Sequence, residues 1–140
     1  MALPTQLKLQ VVAADKSLVN ETVDEVEIPG ADGYFGVLPG HTPLLALLGT
    51  GEMSYRRGGE THHLHISSGF AEVQPDTVTI LAEIAERPSD IDVARAEAAK
   101  RRAEERLARP LTDMEFERAR LTLLKSLIRL QVASRVRIRS

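Results

Sequence analysis

Cysteine and tryptophan are absent from the 140 residues, and only three phenylalanines and two tyrosines are present. Without cysteine there is neither a disulfide framework nor a thiolate zinc ribbon, and a reducing compartment suits the chain. So few aromatics leave little on which nucleic-acid bases could stack, which argues against a nucleic-acid partner. Long apolar runs are missing as well, and none approaches the roughly 18 residues of a membrane-spanning helix. The opening MALPTQLKLQ lacks the basic-then-apolar layout of a secretory signal, so a soluble, cytoplasmic chain is expected. Gly30, Gly33, Gly36 and Gly40 do not follow dinucleotide-binding spacing, and no P-loop is present to support nucleotide hydrolysis.

The charge that is present is unevenly placed. Through Pro88 there are 5 Lys/Arg against 12 Asp/Glu; from Ser89 onward there are 13 against 8, so a balance of −7 is followed by one of +5. Such asymmetry points to two parts with different electrostatic partners.

The hydrophobic period changes at the same place. Leu7, Leu9 and Val11 alternate in one phase, as do Val78, Ile80 and Ala82. Further strands are predicted around Val23 to Ile28, Gly51 to Arg56, Glu60 to Ser67 and Gly69 to Gln74, with turns at PGADG, RRGGE and QPDT. Close-spaced short strands with no helical pattern between them argue for an antiparallel β-sandwich or flattened barrel over residues 1–88. The stretch GYFGVLPGHTPLLALL, Gly33 to Leu48, reads as a stiff apolar loop with His41 at its bend. Pro39 and Pro43 restrict it, and Leu44 to Leu48 return to the core.

After Pro88 the period is helical. Val93, Ala96, Ala99, Ala103 and Leu107 form one stripe; Phe116, Ala119, Leu123, Leu127 and Leu130 form a second beyond Pro110. Ser89 to Asp92 predicts a capping box with Ser89 as N-cap, and TDME, Thr112 to Glu115, predicts another. The short connection makes residues 89–140 an antiparallel α-helical hairpin. Its first stripe is mostly alanine, and each buried methyl contributes only about 0.8 kcal/mol, so the hairpin is expected to be weakly attached and detachable.

GYFGVLPGHTPLL, SSGFAEVQPDTVTILAE and DIDVARAEAAKRRAEERL, in this order, resemble the epsilon subunit of F-type ATP synthases over nearly the whole chain. The resemblance implies a sandwich followed by a helical hairpin, in a non-catalytic subunit of the central rotor. There the sandwich meets the gamma subunit and the ring of c subunits, on the cytoplasmic side of the membrane, which it touches only through the complex. The hairpin reaches toward the catalytic alpha and beta subunits and blocks ATP hydrolysis when extended. The resemblance further implies that Gly36, Gly40, His41 and Thr42 contact the c-ring and that Arg135, Arg137 and Arg139 contact the beta subunit.

Ile91-Asp92-x-x-Arg95-Ala96 matches the family's nucleotide motif, with Glu86, Arg102 and Arg129 at the accompanying positions. No cofactor is required, and ATP is implied as a regulatory ligand. Arg95 and Arg102, two turns apart, share a helix face and could grip phosphate oxygens, while Asp92 and Glu86 would accept hydrogen bonds from adenine or ribose. Lys125 departs from the arginine found at that position in stronger binders, and a capping role for Asp92 explains the same residue without any ligand.

Two other functions compete with a rotor subunit. A free-standing ATP-binding sensor or adaptor would use the helical motif and would not need the LPGH loop. A small hydrolase finds no support, because Ser67-Ser68 has neither a nucleophile elbow nor a base partner. His62, His63 and His65 read as exposed strand histidines rather than a metal site.

Overall fold

The computed structural model describes residues 3–139, with side chains described through Arg135. The chain divides into two units, Met1–Arg87 and Pro88–Ser140. The first holds β1 (Leu7–Ala13), β2 (Lys16–Val23), β3 (Glu25–Gly30), β4 (Gly33–Val37), β5 (Leu44–Leu47), β6 (Thr50–Arg57), β7 (Glu60–Val73) and β8 (Thr77–Glu86). They are hydrogen-bonded in the order β2-β1-β8-β7-β6-β3-β4, with β5 joined to β7. Together they form the β-sandwich.

Alternation builds its core. Leu7, Leu9, Val11 and Ala13 of β1 are buried, and Val78, Ile80 and Ala82 of β8 face the same cluster. Burying each larger aliphatic contributes on the order of 1.5–3 kcal/mol. β1 and β8 run parallel, Lys8 beside Thr77 through Ala13 beside Ala82, whereas every other pairing is antiparallel. A parallel pair needs a long connection. Here the connection is β2 to β7 rather than a helix, so the lack of an intervening helical pattern did not exclude it.

Several strand boundaries differ from the sequence expectation. The candidate from Val23 to Ile28 straddles β2 and β3, and most of β2 went unseen. Its hairpin with β1 turns at Ala14 and Asp15, whose φ values are 49° and 63°. That left-handed pair matches strand twist, but glycine or asparagine usually announces it. The stretch read as a loop contains two strands, β4 and β5, separated by a turn from Leu38 to Pro43. Of the leucines expected to return to the core, only Leu48 does so; Leu44, Leu45 and Leu47 are 41%, 69% and 60% exposed.

The two strands predicted on either side of Ser68 are a single strand, β7. Its first half pairs with β6, from Glu60 beside Arg57 to Ser67 beside Thr50. Its second half pairs with β5, Phe70 beside Leu47 through Val73 beside Leu44. Between them the backbone turns left-handed, with φ of 62° at Ser68 and 119° at Gly69. A methyl group on Gly69 would overlap the Leu81 carbonyl oxygen and lie 2.8 Å from Ala82 Cα. Both obstacles are backbone, so nothing nearby can swing aside.

Asp24 ties the β2–β3 bend to the β6–β7 hairpin. Its carboxylate accepts hydrogen bonds from the Gly58 N–H at 2.7 Å and from Arg56 Nη1 at 3.3 Å. The Gly58 N–H, then the Gln6 amide and the Arg56 charge, hold its carboxyl below the usual aspartate range.

The second unit has a 3-10 turn at Pro88–Asp90, α1 (Val93–Leu107) and α2 (Asp113–Arg139). Small side chains line the contact between the helices. Ala96 and Ala103 are buried on α1, and Ala119, Ser126 and Ala133 are buried on α2, in both cases at intervals of seven residues. The Ser126 hydroxyl is satisfied by donating to the Thr122 carbonyl at 2.8 Å. Of the predicted α2 stripe, Ala119 lies in this seam, whereas Phe116 and Leu127 are 47% and 44% exposed, and Leu123 and Leu130 are half-buried. Close approach of the helices selects small residues, so Ser126 and Ala133 join Ala119 where the larger leucines do not. At one end, Ile91 packs with Val132 and Ala133.

Replacing Gly69 by alanine should destabilise the sandwich by about 3 kcal/mol or more, since it combines a left-handed backbone with a backbone clash. Urea unfolding monitored by circular dichroism checks this; a change below ~1 kcal/mol would contradict the packing at the bend. The lowered Asp24 pKa stabilises the fold above the unfolded aspartate range, and that stability is lost as pH falls through the folded value. In Asp24→Asn, acid unfolding should therefore lose this component, read as a shallower fall of stability on the acid limb.

Candidate functional site

Three of the residues in the nucleotide motif have structural duties in the hairpin. Ile91 is buried against α2. Asp92, not Ser89, is the N-cap of α1: its Oδ1 accepts the Arg95 backbone N–H at 3.1 Å. Ser89 lies inside the 3-10 turn, which occupies the residues expected to open the helix. Ala96 is fully buried in the helix seam. Arg95 and Arg102 are both exposed on α1, and Arg129 is half-buried on α2. The second cap lies where it was expected, with Thr112 Oγ1 accepting the Glu115 N–H at 3.2 Å.

Glu86 belongs to the sandwich and is occupied there. One of its carboxylate oxygens lies 2.8 Å from Nδ1 of His65, which is buried. Glu52, opposite His65 on β6, also lies 3.7 Å from Nδ1 of His63, and His62 lies 3.3 Å from Glu60. The histidines expected to be exposed are thus buried or half-buried, each beside a carboxylate. Among the described residues, no group of three or more His, Cys, Asp or Glu side chains could hold a metal ion.

The turn from Leu38 to Pro43 is closed by its own backbone. The Gly40 N–H donates to the Pro75 carbonyl at 2.7 Å, which fastens it to the β7–β8 turn, and the His41 N–H donates to Leu38 at 3.1 Å. Gly40 takes φ +86°, a conformation that suits glycine. The His41 ring donates from Nδ1 to the Thr42 carbonyl at 2.6 Å, so the imidazole is oriented by its own loop. Gly36 and Thr42 are exposed. Arg135 is half-buried near the end of α2, while the side chains of Arg137 and Arg139 lie outside the described residues.

A further surface was not anticipated from sequence. Leu47 on β5 pairs with Phe70 on β7, Phe70 with Leu81 on β8, and Leu81 with the half-buried Val12 on β1. Leu47, Phe70 and Leu81 are 60%, 50% and 52% exposed, and Leu45 adjoins them on β5. An apolar row crossing four strands marks an interaction surface. Its sequence signal was Leu81, an apolar residue in the otherwise polar phase of β8 between Thr79 and Glu83. On β5 no such signal exists, because LLAL is apolar in both phases.

If Asp92 is a cap, Asp92→Ala should destabilise the hairpin by about 1 kcal/mol. Ala96→Leu should cost about 1–3 kcal/mol by forcing the helices apart. Thermal unfolding followed by helical circular dichroism measures both, and a stabilising Ala96→Leu would refute the small-residue seam.

Comparisons with known proteins divide the chain at the same point. The beta-sandwich domain of the ATP synthase Delta/Epsilon chain matches residues 6–88, and the long alpha-helix domain of the same chain matches residues 89–134. An ATP synthase epsilon chain from Nitratidesulfovibrio vulgaris is 48% identical over 126 residues, spanning 90% of this chain and 94% of that one. One from Koribacter versatilis is 55% identical over 100 residues, spanning 71% and 70%. In fold, the chain is similar to one in the mitochondrial ATP synthase of Euglena gracilis, with a TM-score of 0.71 at 23% identity, covering 99% of this chain and 84% of that one. With both of its units accounted for by one family and relatives near half identity along most of its length, the chain belongs to the ATP synthase delta/epsilon family.

Proposed function

We propose that the chain works as a non-catalytic central-stalk subunit of an F-type ATP synthase, coupling ion flow through the c-ring to ATP synthesis. The observation that carries this reading is the exposed row Leu47–Phe70–Leu81, which gives the sandwich a surface for docking another protein. The row serves as the seat of the gamma subunit. The turn carrying Gly36, Gly40, His41 and Thr42 meets the c-ring as a stiff knob; its internal hydrogen bonds favour a docking role for His41 over a proton-transfer one. The subunit sits at the cytoplasmic side of the membrane and reaches it only through the complex. Among the described residues, no helix is long and apolar enough to cross a membrane.

The hairpin is the regulatory part. A seam of alanines buries little surface per residue, and α2 exposes Met114, Phe116, Leu121 and Leu127, so it can exchange one partner for another. In its extended position it engages the alpha and beta subunits, with Arg135, Arg137 and Arg139 directed to the beta subunit, and inhibits hydrolysis.

ATP acts as a regulatory ligand rather than a required cofactor, held through Arg95 and Arg102 with Arg129 from α2. The exposure of Arg95 and Arg102 supports this assignment, whereas Ile91, Asp92 and Ala96 serve the motif by shaping the helix. A ligand selective for one hairpin position at ten times its Kd favours that position by about 1.4 kcal/mol.

The test of docking is co-purification with the gamma subunit. The double variant Leu47→Glu/Phe70→Glu should fold normally and lose affinity by at least about a hundredfold. Wild-type assembly by that variant would sink the assignment. For the ligand, calorimetric titration with ATP should show at least about tenfold weaker binding in Arg95→Ala/Arg102→Ala; equal affinity would remove both arginines from the site.

A further inference from the structure

At the hairpin turn, Arg106 from the last turn of α1, Arg109 from the connection and Arg118 from α2 line one concave pocket of about 500 Å³. Pro110 and Leu111 supply its apolar wall, and Glu115 is the only acid that lines it. Among the described residues, none of the three arginines makes an ion pair; the neighbouring Arg120 is neutralised by Glu117 at 3.0 Å. Arg118 has only a weak acceptor, the sulfur of Met114 at 3.8 Å from Nη2. Three exposed arginines thus line one concavity with one carboxylate to offset them, and an anion would relieve the repulsion among their like charges.

From this geometry we infer a binding site for an oligophosphate at the hairpin turn, separate from the Arg95 end of α1 and beyond the function proposed above. Each guanidinium presents a planar fork that can grip two oxygens, and a phosphate chain offers several charged oxygens within a small volume. A carboxylate peptide spaces single charges along an extended backbone and suits a long groove better than this short concave turn. The connection is held in advance: Pro110 fixes its backbone, the Arg109 N–H donates to the Arg106 carbonyl at 3.1 Å, and Thr112 caps α2. Little ordering is therefore left for the ligand to impose. Arg95 and Arg106 are eleven residues apart, roughly 16 Å along the helix, so one short phosphate chain does not bridge them, although Arg102, one turn from Arg106, stands between the two sites.

The experiment is titration of the full chain with tripolyphosphate at constant ionic strength, followed by backbone amide resonances and by calorimetry. Amides of residues 106–118 should shift, and Arg106→Gln/Arg109→Gln/Arg118→Gln should weaken binding at least about tenfold. Arg95→Ala should leave the shifts of residues 106–118 unchanged. The triple variant should also unfold at a higher temperature than the wild type without ligand, because the repulsion is gone; helical circular dichroism checks its folding. A parallel titration with ATP names the source: comparable shifts at the same amides mean that the phosphate chain alone is read, and tighter ATP binding there means a nucleotide. Undiminished shifts at residues 106–118 in the triple variant would overturn the site, as would their loss in Arg95→Ala. Tighter binding of a hexaglutamate peptide than of tripolyphosphate would overturn the ligand class.

Discussion

The backbones of β7 and β8 approach each other at Gly69 more closely than any side chain permits, and the arrangement of the sandwich depends on that contact. It lets one 14-residue strand serve two partners, β6 along its first half and β5 along its second, while β8 accompanies both. The left-handed pair Ser68–Gly69 also shifts which residues face inward. Leu64 and Ile66 enter the core before the bend, and Ala71 and Val73 enter it afterwards. Phe70 is thereby set outward beside Leu47 and Leu81. Placement of the exposed apolar row follows from the bend.

Where one face of a strand is polar, the fold was legible in the sequence. β1 and the first part of β8 alternate cleanly, and their core residues followed directly. Legibility failed where the physical cause leaves no distinctive letter. Ala14 and Asp15 make a left-handed turn without glycine, so β2 was hidden. LLAL has no polar phase, so burial could not be assigned, and three leucines that face outward were placed in the core. Ser89 and Asp92 both suit an N-cap, and only the 3-10 turn decides between them. The burial of His63 and His65 had no visible reason in the sequence, because their carboxylate neighbours Glu52 and Glu86 come from other strands.

The hairpin had the opposite difficulty: its letters were visible but their weight was misjudged. The predicted Ala96, Ala103 and Ala119 do lie in the seam, but Phe116 and Leu127 do not, and Ser126 and Ala133 complete it instead. Small residues trade buried area for closeness, giving a pair of helices that fits well while gaining little from each contact. The nucleotide motif falls within this logic. Its isoleucine, aspartate and alanine serve helix construction, which leaves the arginines as the groups available to a ligand.

The exposed row on the sandwich also bears on the life of the chain before assembly. A newly made molecule presents Leu45, Leu47, Phe70 and Leu81 to water on one side of its sheet. Such a surface attracts chaperones, proteases and other unassembled copies as readily as its proper partner. Its abundance is therefore best matched to that of the partner that covers it, and an excess made alone would be cleared or would aggregate. Left uncovered, the same apolar side chains make the chain a poor candidate for independent existence.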